Sequence, residues 1–224
     1  MKRTAARMAI GMVLMAGLVG LTGCAQRPIS QVRADANYFY FEGEYQHAQP
    51  FYEEIVDRRG GNAQGHYELG RNLLALGRPA EAREQMILAY NLDPANADYF
   101  DGMADAFVAA GNEDDLFAAL EHRIRDRGGV DDYDAMGRYA QKLGHADEAE
   151  RAFLSAAEID GGETAEPQRA LAAFYRSIGD KPAEIKRLRM LLWFDAHDAA
   201  VTSRLRELGQ IPGPSFVLEP VGRE

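Results

Sequence analysis

Five glycines recur along this chain at a nearly fixed interval. Gly43, Gly77 and Gly111 lie 34 residues apart; Gly144 follows 33 later and Gly179 35 later. Five residues after the first, second and fourth comes an alanine: Ala48, Ala82 and Ala149. Seventeen residues after the first four comes a helix-stopping residue: Gly60, Pro94, Gly128 and Gly161. A period of this length marks stacked supersecondary units, each too small to bury its apolar face alone. Within each unit the apolar spacing is helical rather than alternating. In the second, Leu69, Leu73 and Leu76 line one helix, and Gly77-Arg78-Pro79 turns the chain. Ala82, Met86, Ala89 and Leu92 then line the next, which Asp93-Pro94 ends. Pro79 stands where a helix begins and Pro94 where one cannot continue.

The stretch His66-Tyr67-Glu68-Leu69-Gly70, followed by Leu73, Gly77, Ala82, Ala89 and Asp93-Pro94, resembles the tetratricopeptide repeat. The fourth unit is similar, with Met136-Gly137, Gly144, Ala149, Phe153, Ala156 and Asp160. The resemblance extends over roughly residues 30–198 and five units. It implies an all-α, right-handed superhelical solenoid of about five helix-turn-helix repeats. Gly70, Ala104, Gly137 and Ala172 recur where helices are expected to cross, and a larger side chain there would push the crossing apart.

Departures from the pattern carry expectations of their own. The first unit has Asp35 where an apolar residue is usual. The third has Leu116 and Arg123 in place of small residues, so its packing should be atypical. The fifth shifts its alanine to Ala183. Ala199 to Leu208 reads as one more amphipathic helix, with Val201, Leu205 and Leu208 inward, capping the array as a solenoid requires. The array with its cap thus spans 31–208. An irregular, proline-containing tail occupies 209–224, in which Phe216-Val217-Leu218 are placed to dock on the last helices.

Ahead of the array stands a leader. Lys2, Arg3 and Arg7 precede an uncharged run from Met8 to Leu21, and small residues follow. These are the three parts of a secretory signal. The run is shorter than the roughly 20 residues a membrane span needs. Leu21-Thr22-Gly23-Cys24 contains the one cysteine of the chain. The tetrapeptide resembles the lipobox of bacterial lipoproteins. That resemblance implies a signal peptide over 1–23, cleavage before Cys24, and diacylglycerol on its sulfur with a further acyl chain such as palmitate on the new amino group. Two or more chains anchor stably where one does not. Residues 24–30 become the lipidated cysteine and a short tether. Ala25, rather than Asp, favours the outer membrane in the family's sorting rule. An ordinary signal peptide or an uncleaved anchor is the competing reading.

Net charge argues about partners. The chain carries −10, and loss of the leader deepens this to −13, because the leader holds three basic residues and no acidic one. Such a balance disfavours a nucleic-acid backbone, whose binding is driven by Lys and Arg. In a solenoid of this type the first helix of each unit lines a groove. Residues ten, six and three before each turn glycine should face it. The candidate partner-binding residues are therefore Asn37, Tyr40, Tyr67, Arg71, Asp101, Asp105, Arg138 and Arg169. The first half is aromatic, the centre acidic through Asp98, Asp101 and Asp105, and the far end basic through Arg138, Lys142, Arg169 and Arg176. Tyrosine and arginine are common anchors for partner proteins, although each position is equally compatible with a solvated helix face. Some tetratricopeptide proteins clamp a peptide's terminal carboxylate with Lys, Arg and Asn from three successive units. Arg33 and Asn37 suit its start, but Asp98 has the wrong charge, so that clamp is not expected.

Catalytic signatures are missing from the letters. His47, His66, His122, His145 and His197 lack helical zinc spacing, and His66 reads as a packing residue. The double glycines at 60–61, 128–129 and 161–162 sit at helix stops, where left-handed conformations are wanted, rather than in a phosphate cradle. No enzyme, cofactor, metal or small-molecule substrate is expected. The reading is a membrane-anchored scaffold or adaptor for other envelope proteins or peptides, at the periplasmic face of the outer membrane. It would aid assembly of a secretion, pilus or outer-membrane complex. The alternative is a structural subunit of a larger envelope transport or enzyme complex.

Overall fold

The computed structural model describes residues 26–211, 213 and 216–220. Cys24 and the leader lie outside the described residues. Each turn glycine closes a helical hairpin. α1 (Ile29–Phe41) pairs with α2 (Tyr45–Arg58), and α3 (Ala63–Ala75) with α4 (Pro79–Leu92). α5 (Ala97–Ala110) precedes α6 (Glu113–Asp126), and α7 (Val130–Leu143) precedes α8 (Ala146–Asp160). α9 (Glu166–Ile178) pairs with α10 (Lys181–Phe194), and α11 (Ala199–Glu207) follows alone. The described residues are thus an all-α solenoid of five hairpins and one terminal helix.

One backbone device repeats at every hairpin. The five turn glycines have φ between 71° and 87°, a left-handed conformation that glycine adopts without a Cβ penalty. After each, the next N–H donates back across the turn: Glu44 to Phe39, Arg78 to Leu73, Asn112 to Phe107, His145 to Ala140, and Asp180 to Tyr175, at 2.8–3.0 Å. This six-to-one bond satisfies a carbonyl at the end of the first helix and sets the exit direction. The double glycines do not share the device. Gly128, Gly161 and Gly162 are left-handed, but Gly60, Gly61 and Gly129 are not. The sequence expectation fails at these three because other groups stop or start the helices there. Asn62, for example, caps α3 by accepting from the Gly65 N–H.

Within each hairpin a small residue seven before the turn meets a larger one nine after it. A Cβ on Gly70 would lie 2.9 Å from the Met86 side chain, and one on Gly137 would lie 2.7 Å from the Phe153 ring. Ala104 and Leu120, and Ala36 and Tyr52, occupy the same two positions and are buried. The third hairpin departs as its sequence foretells. α5 and α6 touch over much less surface than the other helix pairs joined by a turn glycine. Leu116 fills the site of the usual alanine and is fully buried. Arg123 takes the next small position, lies over the Phe100 ring at 4.2 Å and donates to Asp132 at 2.6 Å. The pair is under a tenth exposed on both sides. It ties α6 to α7 by charge where other units pack by shape.

In the fifth hairpin the expected shift to Ala183 is not what the structure uses. Glu184 occupies the crossing position, is 2 % exposed, and accepts from Arg204 of α11 at 2.7 and 3.1 Å. A buried carboxylate needs such a partner, and the pair fastens the terminal helix. Val201 and Leu205 are buried and Leu208 is partly so, as its amphipathic pattern implies. The tail then returns. Phe216 and Val217 pack on the α9–α10–α11 core, Arg189 donates to the Phe216 carbonyl at 2.7 Å, and Pro220 reaches Gly162.

Two glycine substitutions separate shape from propensity. Alanine gains about 1 kcal/mol over glycine in a helix, whereas overpacking costs about 1–3 kcal/mol. Gly137→Ala meets a rigid buried ring and should lower stability by about 1–2 kcal/mol in urea unfolding. Gly70→Ala meets the flexible Met86 thioether and should be within about 0.5 kcal/mol of wild type. Equal losses at both sites would refute this account of the crossing.

Candidate binding groove

The odd-numbered helices lie side by side, so that α3 touches α5 directly and α7 touches α9. Their shared face carries a groove of about 330 Å³. Tyr40 from α1, Tyr67, Arg71 and Leu74 from α3, and Asp98, Asp101 and Asp105 from α5 line it; Met86 of α4 forms part of its floor. A smaller hollow of about 120 Å³ adjoins it, lined by Asn37, Tyr40, Phe41, Tyr52, Glu68 and Arg71. Six of the eight residues expected to face a groove are therefore brought together: Asn37, Tyr40, Tyr67, Arg71, Asp101 and Asp105. Arg138 borders them through Asp101. Arg169 does not join them; it lies on α9 and pairs with Glu166 of its own helix at 3.2 Å.

Arg71 stands between two rings. Its guanidinium is 5.0 Å from the Tyr40 ring centre and 5.7 Å from that of Tyr67, and it donates to the Tyr40 hydroxyl at 3.1 Å. No carboxylate pairs with it among the described residues. The stacking holds the side chain extended while leaving its charge available. The Tyr67 ring in turn packs on Tyr99 at 5.2 Å. Burial pushes the Tyr67 hydroxyl pKa above its ordinary value, and Arg71 partly offsets that rise.

The centre of the groove is less acidic in effect than its letters suggest. Asp105 accepts from Lys142 at 2.7 Å, and Asp101 has Arg138 at 3.8 Å. Arg138 also donates to Asp134 at 2.9 Å. Two of the four cations of the expected basic far end, Arg138 and Lys142, thus neutralise the acidic centre. Cations one repeat later reach back across the stack, because positions a period apart share one face. Asp98 alone of the acidic trio has no cation partner among the described residues. Desolvation raises the Asp101 pKa above its ordinary value, and Arg138 opposes the rise. Glu68 is likewise raised by burial, with Arg33 opposing it at 2.9 Å. Asn37 accepts from the Tyr52 hydroxyl at 2.8 Å; burial pushes the Tyr52 pKa up to about 12. Arg33 and Asn37, the two residues that would have begun a carboxylate clamp, are both engaged internally.

Sequence reasoning passed over Gly102 and Tyr99. A Cβ on Gly102 would lie 2.7 Å from the Tyr67 ring and 2.9 Å from the Met86 sulfur. The glycine lets the Tyr67 ring approach α5 closely and so shapes the groove wall. Its signal was present: glycine inside a helix costs about 1 kcal/mol and usually marks close approach. His66 is structural, 4 % exposed, with its ring nitrogens against the Gly60 carbonyl at 2.8 Å and the Gln85 side chain at 2.7 Å.

Comparison with known proteins agrees with this geometry. Residues 63–96 match the tetratricopeptide repeat family. No curated protein sequence matches the chain. Among solved structures, a thermophilic tetratricopeptide-repeat protein of Thermus thermophilus, TTC0263, aligns with TM-score 0.50 and 19 % identity, covering 82 % of this chain and all of its own. MamA aligns with TM-score 0.53 and 16 % identity over 83 % of this chain and 98 % of its own. PilW, a widely conserved type IV pilus biogenesis factor, aligns with TM-score 0.53 and 14 % identity over 79 % and 82 %. At such identities the likeness is one of fold. The second hairpin is a tetratricopeptide repeat, and the array around it has the tetratricopeptide-repeat solenoid fold.

Proposed function

We infer that the protein is a lipid-anchored scaffold that holds a segment of another envelope protein in the groove between α1, α3 and α5. The observation that carries this is the unpaired chemistry of that groove. Among the described residues Arg71, pre-positioned by two tyrosines, has no carboxylate partner and Asp98 has no cation, and both line the groove with Leu74 and Met86. Rigid amphipathic aromatics and arginine are the side chains that anchor protein partners. A segment bearing an apolar side chain over Leu74 and Met86 and a basic one toward Asp98 and Asp101 fits these groups. Its carboxylate or backbone carbonyl would meet Arg71.

The anchor rests on the lipobox-like Leu21-Thr22-Gly23-Cys24 and its leader. Among the described residues no helix is long and apolar enough to cross a membrane. Outer-membrane placement follows from Ala25 in the sorting rule. A pilus biogenesis factor of the same fold is in keeping with a role in assembling an envelope complex. The tetratricopeptide fold serves interaction rather than turnover, and nothing in the groove is arranged as an acid, base and nucleophile.

Three outcomes test this reading. A photo-crosslinking residue at Leu74 should capture one partner that the same residue at exposed Leu88 does not, and Arg71→Glu should lower capture at least about tenfold if a desolvated charged contact of about 1.5–3 kcal/mol is lost; equal capture from both positions would refute the groove. Capture should also weaken on acidification, because protonated Asp101 cannot hold a basic side chain. The onset lies above the ordinary aspartate value of about 3.9, and Arg138→Ala, which removes the opposing cation, should shift it higher still. Finally, metabolic labelling with a tagged fatty acid should mark the wild-type chain and not Cys24→Ala; label on both would exclude the lipobox.

A further inference from the structure

We propose that the bare end face of the first repeat is a lipid-facing surface that seats the array on the bilayer in one orientation. This rests on the anchor reading above and adds which side of the molecule meets the membrane.

Four consecutive aromatics, Tyr38-Phe39-Tyr40-Phe41, end α1. On a helix they must point in different directions. Phe39 turns inward and stacks on Phe51 at 5.6 Å, and Tyr40 turns into the groove. Tyr38 meets only the edge of Phe39, and Phe41 meets the edge of Tyr40 at the rim of the smaller hollow. They are 61 % and 78 % exposed, and Phe41 is the most exposed large apolar side chain of any described helix. With Gln31 and Ala34 they form one stripe at helical spacing, exposed along its length and free of charge. A preceding repeat would cover this stripe; among the described residues α1 is the first helix.

What lies beside the stripe is decided by the chain itself. Arg27 is fastened to the first hairpin from four directions. Its guanidinium pairs with Asp35 at 2.9 Å and Glu54 at 3.6 Å and lies over Phe51 at 5.4 Å, and its carbonyl accepts from Arg58 at 2.9 Å. Only Ala25 and Gln26 separate this fixed point from Cys24. Three residue steps reach about 10 Å, so an acylated Cys24 brings the start of α1 to the headgroup layer. So short a link keeps the start of α1 close to the bilayer however the array turns. The uncharged stripe, with a tyrosine and a phenylalanine, suits the membrane interface, where amphipathic aromatics concentrate. The net negative chain has no long-range attraction to anionic lipid, so the two aromatics act only at the high local concentration the anchor creates.

The test uses the full lipidated chain, purified in detergent and reconstituted into phosphatidylethanolamine vesicles containing a minor fraction of phosphatidylglycerol. Flotation reports the anchor, and quenching by brominated acyl chains reports the orientation. Trp193, on α10 at the far end, is the only native tryptophan and should stay unquenched in the wild type. Phe41→Trp should add a blue-shifted emission that brominated lipid quenches. Tyr38→Glu combined with Phe41→Trp should float equally well and lose the quenching. Flotation without quenching at position 41 overturns the proposal while leaving the anchor intact. Failure of the wild type to float overturns the anchor and the proposal with it. A dimer in detergent that Phe41→Glu splits assigns the stripe to a second copy and also overturns it.

Discussion

The distance between paired helices is the constraint on which the rest depends. It is set where a residue with little or no side chain meets a long one: Gly70 under Met86, Gly137 under Phe153. A close crossing lets each hairpin bury its apolar stripe and present the next hairpin with a surface of the same shape. The left-handed turn glycines repeat the same backbone reversal at each hairpin. Stacking of the odd helices, and therefore the groove, is the accumulated result.

Where small residues are replaced, charge takes over. Arg123 and Asp132 link the third and fourth hairpins, and Glu184 and Arg204 link the fifth hairpin and its cap. Buried ion pairs of this kind are weak contributors to stability but costly to leave half-made. They fix which neighbour each helix accepts. The looser contact between α5 and α6 places the least regular part of the array immediately beside the acidic wall of the groove, so the groove's geometry depends on the Arg123–Asp132 pair next to it.

Much of this was legible before any coordinates. The glycine period located all five hairpins, the residues ten, six and three before each turn gave most of the groove lining, and the substitutions Leu116 and Arg123 announced the irregular unit. What was misread depended on partners distant in sequence. Arg138 and Lys142 read as a free basic end but are matched to Asp101 and Asp105, 37 residues earlier. Ala183 read as the shifted small residue, yet Glu184 takes the site because Arg204 is there to neutralise it. Gly60, Gly61 and Gly129 read as left-handed stops, but α2 already ends at Arg58, and Asp132 starts α7 by accepting from the Gly129 N–H.

The sequence by itself determined the kind of object this is. A repeated turn glycine, small residues at a constant offset and helical apolar spacing are local properties, and local properties suffice to specify a stack. The proposal of a lipid anchor likewise rests on the letters of the leader alone, which are read without folding. Only the tertiary structure decided which charges are paired and which remain free, because an ion pair's value depends on a distance that no spacing along the chain supplies. It likewise decided that Arg27 is clamped and that Tyr38 and Phe41 face outward, since a helix face is buried or bare according to what packs beside it.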